Sequence, residues 1–236
     1  MHIVLLPGLD GTGKLFQPLL EVLPPELVPL VVSYPPDRVL SYRQLVPLVR
    51  AALPPSHPFI LLGESFGGPL ALELAAEGHP QLRGVVLCAT FITNPLPSML
   101  RWITWVPERW LRLILRLDAP DLLVRWLAAG WDAPQGLLDL FRQVKRQVTP
   151  EVLAARIRTV VEVNATEALR AARVPMVYLF ARHDRLVSPR CLGEILVYCY
   201  DAQVPEFESP HLLLQRVPEE AVRAISRFVS TLEESR

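Results

Sequence analysis

Gly63, Glu64, Ser65, Phe66 and Gly67 place a hydroxyl nucleophile between two glycines. The apolar run Phe59 to Leu62 before them has strand character, and Leu70, Ala71, Leu74 and Ala75 after them mark one face of a helix. Ser65 therefore falls on a strand-to-helix turn. In so tight a turn a side chain at Gly63 or Gly67 would meet neighbouring backbone, and the central serine is forced into a strained conformation with its hydroxyl projecting from the sheet edge. A serine displayed in this way needs a base, a group to orient that base, and donors for an oxyanion. Two loops offer the first two. Asp184 follows the apolar stretch Met176 to Phe180, and His211 follows the stretch Ala202 to Phe207. The bland reading of Asp184 is an ion pair with Arg182 or Arg185, and that of His211 a solvated loop residue. Yet the three follow three different strands at one sheet edge, in the order Ser, Asp, His. That is the set an acyl-transfer site needs.

The elements that must hold these residues alternate. Strands are expected over His2 to Leu6, Leu27 to Tyr34, Phe59 to Leu62, Leu82 to Ala89, Pro175 to Phe180 and Ala202 to Phe207. Helical patterns lie at Lys14 to Leu23, Ser41 to Leu53 (Leu45, Leu48 and Val49 inward), Pro189 to Tyr198 and Glu219 to Leu232. Apolar strands alternating with helices imply a mostly parallel sheet of about six strands with helices on both faces. In such a sheet ligands bind at the carboxyl ends of the strands. The alternation stops near Phe91. From 91 to 172 only helical segments are expected, divided by Pro95, Pro97, Pro107, Pro120, Pro134 and Pro150, and all five tryptophans fall there. Residues 1–90 and 173–236 are thus expected to form the core, and 91–172 an inserted helical cap.

The 236 residues suffice for one domain with such an insertion. No apolar run approaches the ~20 residues of a membrane span, and Met1 to Leu6 reads as a strand rather than a signal peptide. The formal charge is zero, so nothing global points to nucleic acid or a membrane surface and any charge argument must be local, and Cys88, Cys191 and Cys199 have no metal-ligand spacing. No metal or cofactor is expected, and a reducing cytoplasm is the simplest location.

The elbow Gly63-Glu64-Ser65-Phe66-Gly67, the loop His183-Asp184-Arg185-Leu186-Val187-Ser188-Pro189 and the turn Ser209-Pro210-His211 together resemble the α/β-hydrolase superfamily, specifically capped carboxylesterases that process carrier-bound acyl methyl esters. The resemblance covers nearly the whole chain. It implies an α/β-hydrolase fold in which Ser65 attacks an acyl carbon, His211 carries the proton and Asp184 fixes the imidazole. It also implies an oxyanion hole of two backbone N–H groups, from Phe66 and from Leu9, with Asp10 as the fallback for Leu9. Pro7 departs from the family pattern, since a histidine often stands there. The expected substrate is a small acyl ester of short to medium chain, with thioester hydrolysis or acyl transfer open to the same triad. Trp102, Trp105, Trp110, Trp126 and Trp131, with Leu100, Leu111, Ile114, Leu115 and Leu127, would line an apolar acyl pocket or fasten cap to core. Arg109, Arg112 and Arg116 recur at helical spacing over Glu108 to Leu117. This stripe is either a solvated face or, by the resemblance, a docking surface for an acidic acyl carrier protein.

Two readings of other classes compete. Gly8, four residues on, Gly13 and Lys14 nearly spell a phosphate-binding loop, but Leu15 lacks the hydroxyl that would hold magnesium. A binding protein on the same fold, without turnover, is the other.

Overall fold

The computed structural model describes residues 1–234. Its core is a six-stranded sheet in the order β2-β1-β3-β4-β5-β6, formed by β1 (His2–Leu6), β2 (Val28–Val31), β3 (Phe59–Glu64), β4 (Leu82–Cys88), β5 (Met176–Ala181) and β6 (Glu206–Phe207). Every pairing is parallel, so all carboxyl ends share one edge. From β1 the chain first adds β2 on one side, and it then adds β3 on the other. The crevice at this reversal, between the ends of β1 and β3, is where an open sheet of this kind leaves room for a ligand.

The central strands are buried on both faces, which is why they read as unbroken apolar runs. Alternate residues enter opposite clusters: Val4, Leu61, Leu87 and Tyr178 face one way, and Leu5, Ile60, Val86 and Leu179 the other. The first cluster is covered by α2 (Tyr42–Arg50), α3 (Gly67–Ala76), α8 (Thr166–Ala171) and α9 (Arg190–Leu196). The second lies under α1 (Gln17–Glu21), α10 (Leu213–Arg216) and α11 (Pro218–Glu234).

Between β4 and β5 the described chain holds no strand of the sheet. It forms a 3-10 stretch (Ser98–Trp105), α4 (Glu108–Leu115), α5 (Asp121–Val124) continued by a π turn (Arg125–Ala129), α6 (Gln135–Arg146), α7 (Pro150–Glu162) and α8. Pro107, Pro120 and Pro134 stand just before α4, α5 and α6, and Pro150 opens α7, where a missing N–H costs nothing. α7 is also capped by Thr149, whose Oγ accepts from the Val152 N–H at 3.3 Å. α8 buries Ala168 and Leu169 in the core beside α3.

Several expectations need correction. The strand expected over Ala202 to Phe207 shrinks to Glu206–Phe207 plus a single bridge from Gln203 to Val177, because Pro205 interrupts the ladder. The apolar second strand is an exposed edge, with Val28 and Val31 facing solvent. α2 turns Leu45, Val46 and Val49 inward and leaves Leu48 exposed. Trp102, Trp105, Trp110 and Trp131 are exposed, so they neither fasten the insertion to the core nor line an enclosed pocket.

α11 closes the second face by laying the Phe228 ring over Gly84 of β4, where an added Cβ would lie 2.7 Å from the ring. Phe228→Ala is expected to cost about 3–5 kcal/mol, measured by urea unfolding, because the empty slot lies between sheet and helix and neither can collapse into it.

Candidate active site

Ser65 has a left-handed φ of 49°, one of two non-glycine residues with positive φ among those described. A serine there carries roughly 1–3 kcal/mol of strain, so its surroundings must impose the conformation. They do so by excluding side chains. A Cβ at Gly63 would lie 2.7 Å from the Gly67 carbonyl, one at Gly67 would strike the Leu6 carbonyl, and one at Gly68 would overlap Thr90. α3 can thus begin directly at the end of β3. The turn sets Ser65 beside the loop after β1, where a Cβ on Gly8 would lie 3.8 Å from the Ser65 Cβ.

His211 lies in the loop after β6, with its Nε2 3.1 Å from Ser65 Oγ and its Nδ1 2.7 Å from Asp184 Oδ2. A carboxylate only accepts, so Nδ1 carries the proton and Nε2 is left to accept from the serine hydroxyl. Asp184 is itself anchored, because its Oδ1 accepts from the Leu186 N–H at 2.8 Å and the Val187 N–H at 2.9 Å. Neither bland reading of these two residues describes the structure. Arg182 pairs with Glu206 and Glu208, Arg185 lies over the Trp126 ring, and His211 is buried. Burial of the imidazole pulls its pKa down, while the charge and hydrogen bond of Asp184 and the charge of Glu64 push it up. The balance stands above the ordinary value.

The expected oxyanion donors can be followed through their peptide planes. A trans peptide points its N–H opposite to the preceding carbonyl. The Ser65 carbonyl accepts from Thr90 Oγ1 at 2.5 Å and from the Gly68 N–H at 3.0 Å, which fixes the direction of the Phe66 N–H. The Gly8 carbonyl accepts from the Gly11 N–H at 3.0 Å, which fixes the Leu9 N–H. Among the described residues neither of these two N–H groups donates to a protein acceptor. Thr90 is in turn held by Tyr178, whose hydroxyl donates to the Thr90 carbonyl at 2.7 Å and accepts from its N–H at 3.1 Å.

The same loop does not make a phosphate cradle. The Gly11, Thr12 and Lys14 N–H groups already donate to Gly8, Asp10 and Thr12, and the Lys14 ammonium donates to Gln147. A concavity of about 770 Å³ lies away from Ser65, beside α2 and α3, and includes Tyr42, Glu73 and Glu162 in its wall.

Two site residues escape the sequence reading. Arg156, reaching in from α7, donates to the carbonyls of Leu9 (3.0 Å), Asp10 (2.6 Å) and Pro35 (3.0 Å) and lies over the Tyr34 ring. It is buried, yet its partners are backbone groups that no sequence pattern advertises. Glu64 is buried as well. Its Oε1 accepts from Gln215 Nε2 at 3.0 Å, and burial pushes its pKa up to about 7. Its place beside the nucleophile was visible in the sequence, but its partner on α10 was not.

The sequence profile described as "Alpha/beta hydrolase family" matches residues 3–225. The chain belongs to that family. Among curated proteins, this α/β hydrolase is 30% identical over 115 residues to phytyl ester synthase 1, chloroplastic, of Arabidopsis thaliana. It is 21% identical over 180 residues to pyrrolizixenacetamide deacetylase of Xenorhabdus hominickii. The matches take in 45% and 73% of this chain but only 16% and 65% of those relatives' lengths. Among solved structures, a thermophilic esterase from Thermogutta terrifontis superposes with a TM-score of 0.76 at 18% identity, covering 98% of this chain and 90% of that one. At that identity the likeness is one of fold.

The Glu64 carboxyl gives a test of stability. Its folded pKa of about 7 lies above the ordinary 4.5, so the folded state binds more protons than the unfolded state between these values. Its contribution is fully present below the lower value and is lost as pH rises through the upper one. The melting temperature of the native protein minus that of Glu64→Gln is expected to fall between about pH 4.5 and pH 7. A difference that is flat across this range would show that the carboxyl does not titrate there.

Proposed function

We propose that the protein is a serine esterase that cleaves short to medium acyl esters through an acyl-enzyme. The observation that carries this reading is the chain of hydrogen bonds from Ser65 Oγ to His211 Nε2 and from His211 Nδ1 to Asp184. In this reading His211 takes the Ser65 proton as the oxygen attacks the acyl carbon, and Asp184 stabilises the imidazolium that forms. His211 then gives the proton to the departing alkoxide, and water repeats the sequence to free the acid. The negative charge on the tetrahedral oxygen is met by the Leu9 and Phe66 N–H groups, whose planes are held before substrate arrives. Preorganised donors pay no reorientation cost during the reaction, and one of them is typically worth about 3 kcal/mol.

The two curated relatives are named for ester synthesis and for deacetylation, and both reactions move an acyl group. Thioester hydrolysis and transfer to an acceptor other than water use the same steps, and the acceptor that reaches the acyl-enzyme decides between them. No resident metal or cofactor enters the scheme. The free cysteines fit a reducing cytoplasm. An acyl carrier protein remains a candidate partner for Arg109, Arg112 and Arg116, and the experiment in the next subsection separates it from another occupant of that helix.

A series of p-nitrophenyl esters of increasing chain length tests the chemistry. Ser65→Ala is expected to lose at least about 10³-fold in kcat and all labelling by a fluorophosphonate. Undiminished hydrolysis in that variant would overturn the mechanism. A native protein that turns over no ester and whose Ser65 does not react with the fluorophosphonate would instead be a binding protein. Thr90→Val removes the hydroxyl that holds the Ser65 carbonyl while keeping the side-chain shape. It is expected to lower kcat about tenfold to a hundredfold with little change in KM, and Thr90→Ser should retain most activity.

A further inference from the structure

α4 carries three distinct faces. Leu111 is buried and Leu115 packs against Val148, Val152 and Leu153 where the helix rests on α7. Arg109, Arg112 and Arg116 form a second stripe. The third is apolar and faces solvent: Leu113 and Ile114 lie three and four residues after Trp110, on the same side of the helix, and Leu117 extends the row just past the helix end. The preceding 3-10 stretch is tied to the same support, since Arg158 donates to the Thr104 carbonyl at 2.8 Å, and it adds Trp102 and Trp105. These six side chains are between 51% and 86% exposed. Among the described residues, ten of the seventeen exposed large apolar side chains lie between Met99 and Trp131, so this is a concentration and not the ordinary scatter of a protein surface.

We infer that this face docks the protein on an anionic lipid surface, with α4 lying in the plane of the interface. An exposed helix with tryptophan and leucine on one side and arginine on the next is built for the boundary between acyl chains and headgroups. The apolar stripe enters the chain region, the indole rings sit at headgroup level, and the guanidinium groups meet phosphate. Local charge has the matching sign. Residues 98 to 117 hold four arginines, Arg101, Arg109, Arg112 and Arg116, against one carboxylate, Glu108, although the whole chain is formally neutral. The same charge disfavours a second copy as the occupant, because a two-fold contact would set the arginine-rich face against itself. An acidic protein would satisfy the arginines. It would need a matching groove for a row of apolar side chains that stand out from the surface, whereas a fluid lipid layer needs none.

The docking reading goes beyond the esterase reading and does not depend on it. All five tryptophans lie between Trp102 and Trp131, so emission excited selectively at tryptophan reports on this stretch, whereas the five tyrosines lie outside it. Vesicles of equal parts phosphatidylglycerol and phosphatidylcholine are expected to sediment the protein and shift its tryptophan emission to the blue. Phosphatidylcholine vesicles alone, or added salt, should weaken both effects. The double variant Leu113→Glu/Leu117→Glu is expected to bind the mixed vesicles at least about tenfold less. It should keep the native melting temperature and its turnover of a soluble p-nitrophenyl ester, since both positions face solvent. Failure of the native protein to bind the mixed vesicles, or equal binding by the variant, would overturn the inference. So would either competing occupant without vesicle binding: capture of an acyl carrier protein abolished by the variant, or a dimer in sedimentation that the variant dissolves.

Discussion

The Leu6 carbonyl comes so close to Gly67 that no side chain fits between them, and this contact between the end of β1 and the first residue of α3 governs the rest of the site. It lets α3 start without a connecting loop, which forces Ser65 into its left-handed conformation. It also brings the loop after β1 beside the serine, so that the Leu9 and Phe66 N–H groups come from neighbouring strand ends. The strain at Ser65 is held by what surrounds it: glycines at 63, 67 and 68, the Thr90 hydroxyl on its carbonyl, and α3 itself. None of these has to touch a substrate. Their work under the proposed chemistry is complete before one binds.

The second organising fact is that the polar groups around Ser65, His211 and Asp184 form a hierarchy of anchors. Asp184 is fixed by two backbone N–H groups of its own loop, and His211 is fixed by Asp184. Thr90 is fixed by Tyr178 from the adjacent strand. Glu64 is the member least well accommodated. It is a buried carboxyl that accepts from Gln215, whose own Oε1 is buried and unpartnered. The charge of Glu64 is the smallest of the influences that hold the His211 pKa above its ordinary value, after those of Asp184.

The central sheet was legible because its strands are buried on both faces and therefore read as apolar runs between turn residues. Ser65, Asp184 and His211 were legible because each follows such a run, so a parallel sheet delivers all three to one edge. Legibility failed where partners are backbone groups or lie far away in sequence. Arg156 binds carbonyls 121 to 147 residues away, and a carbonyl carries no residue signature. The last strand is shorter than its sequence suggests, because Ala202 and Val204 alternate with Gln203 as a strand would, whereas Pro205 limits the ladder to two residues. The outward-facing tryptophans were illegible for a different reason. Burial is the usual fate of a large aromatic, and composition cannot show that a helix turns such residues outward.

Arg156 also bears on how far this architecture can be rearranged. Its guanidinium joins a helix between β4 and β5 to carbonyls on the loops after β1 and β2, and it fills the space that a side chain at position 11 would occupy. The helical segment is therefore not a detachable module. A chimaera that exchanged it for the equivalent segment of another family member would remove the Arg156 donor from the Leu9, Asp10 and Pro35 carbonyls unless the graft supplied a cation at the same place. The helical segment and the geometry of the loop beside Ser65 are thus inherited together.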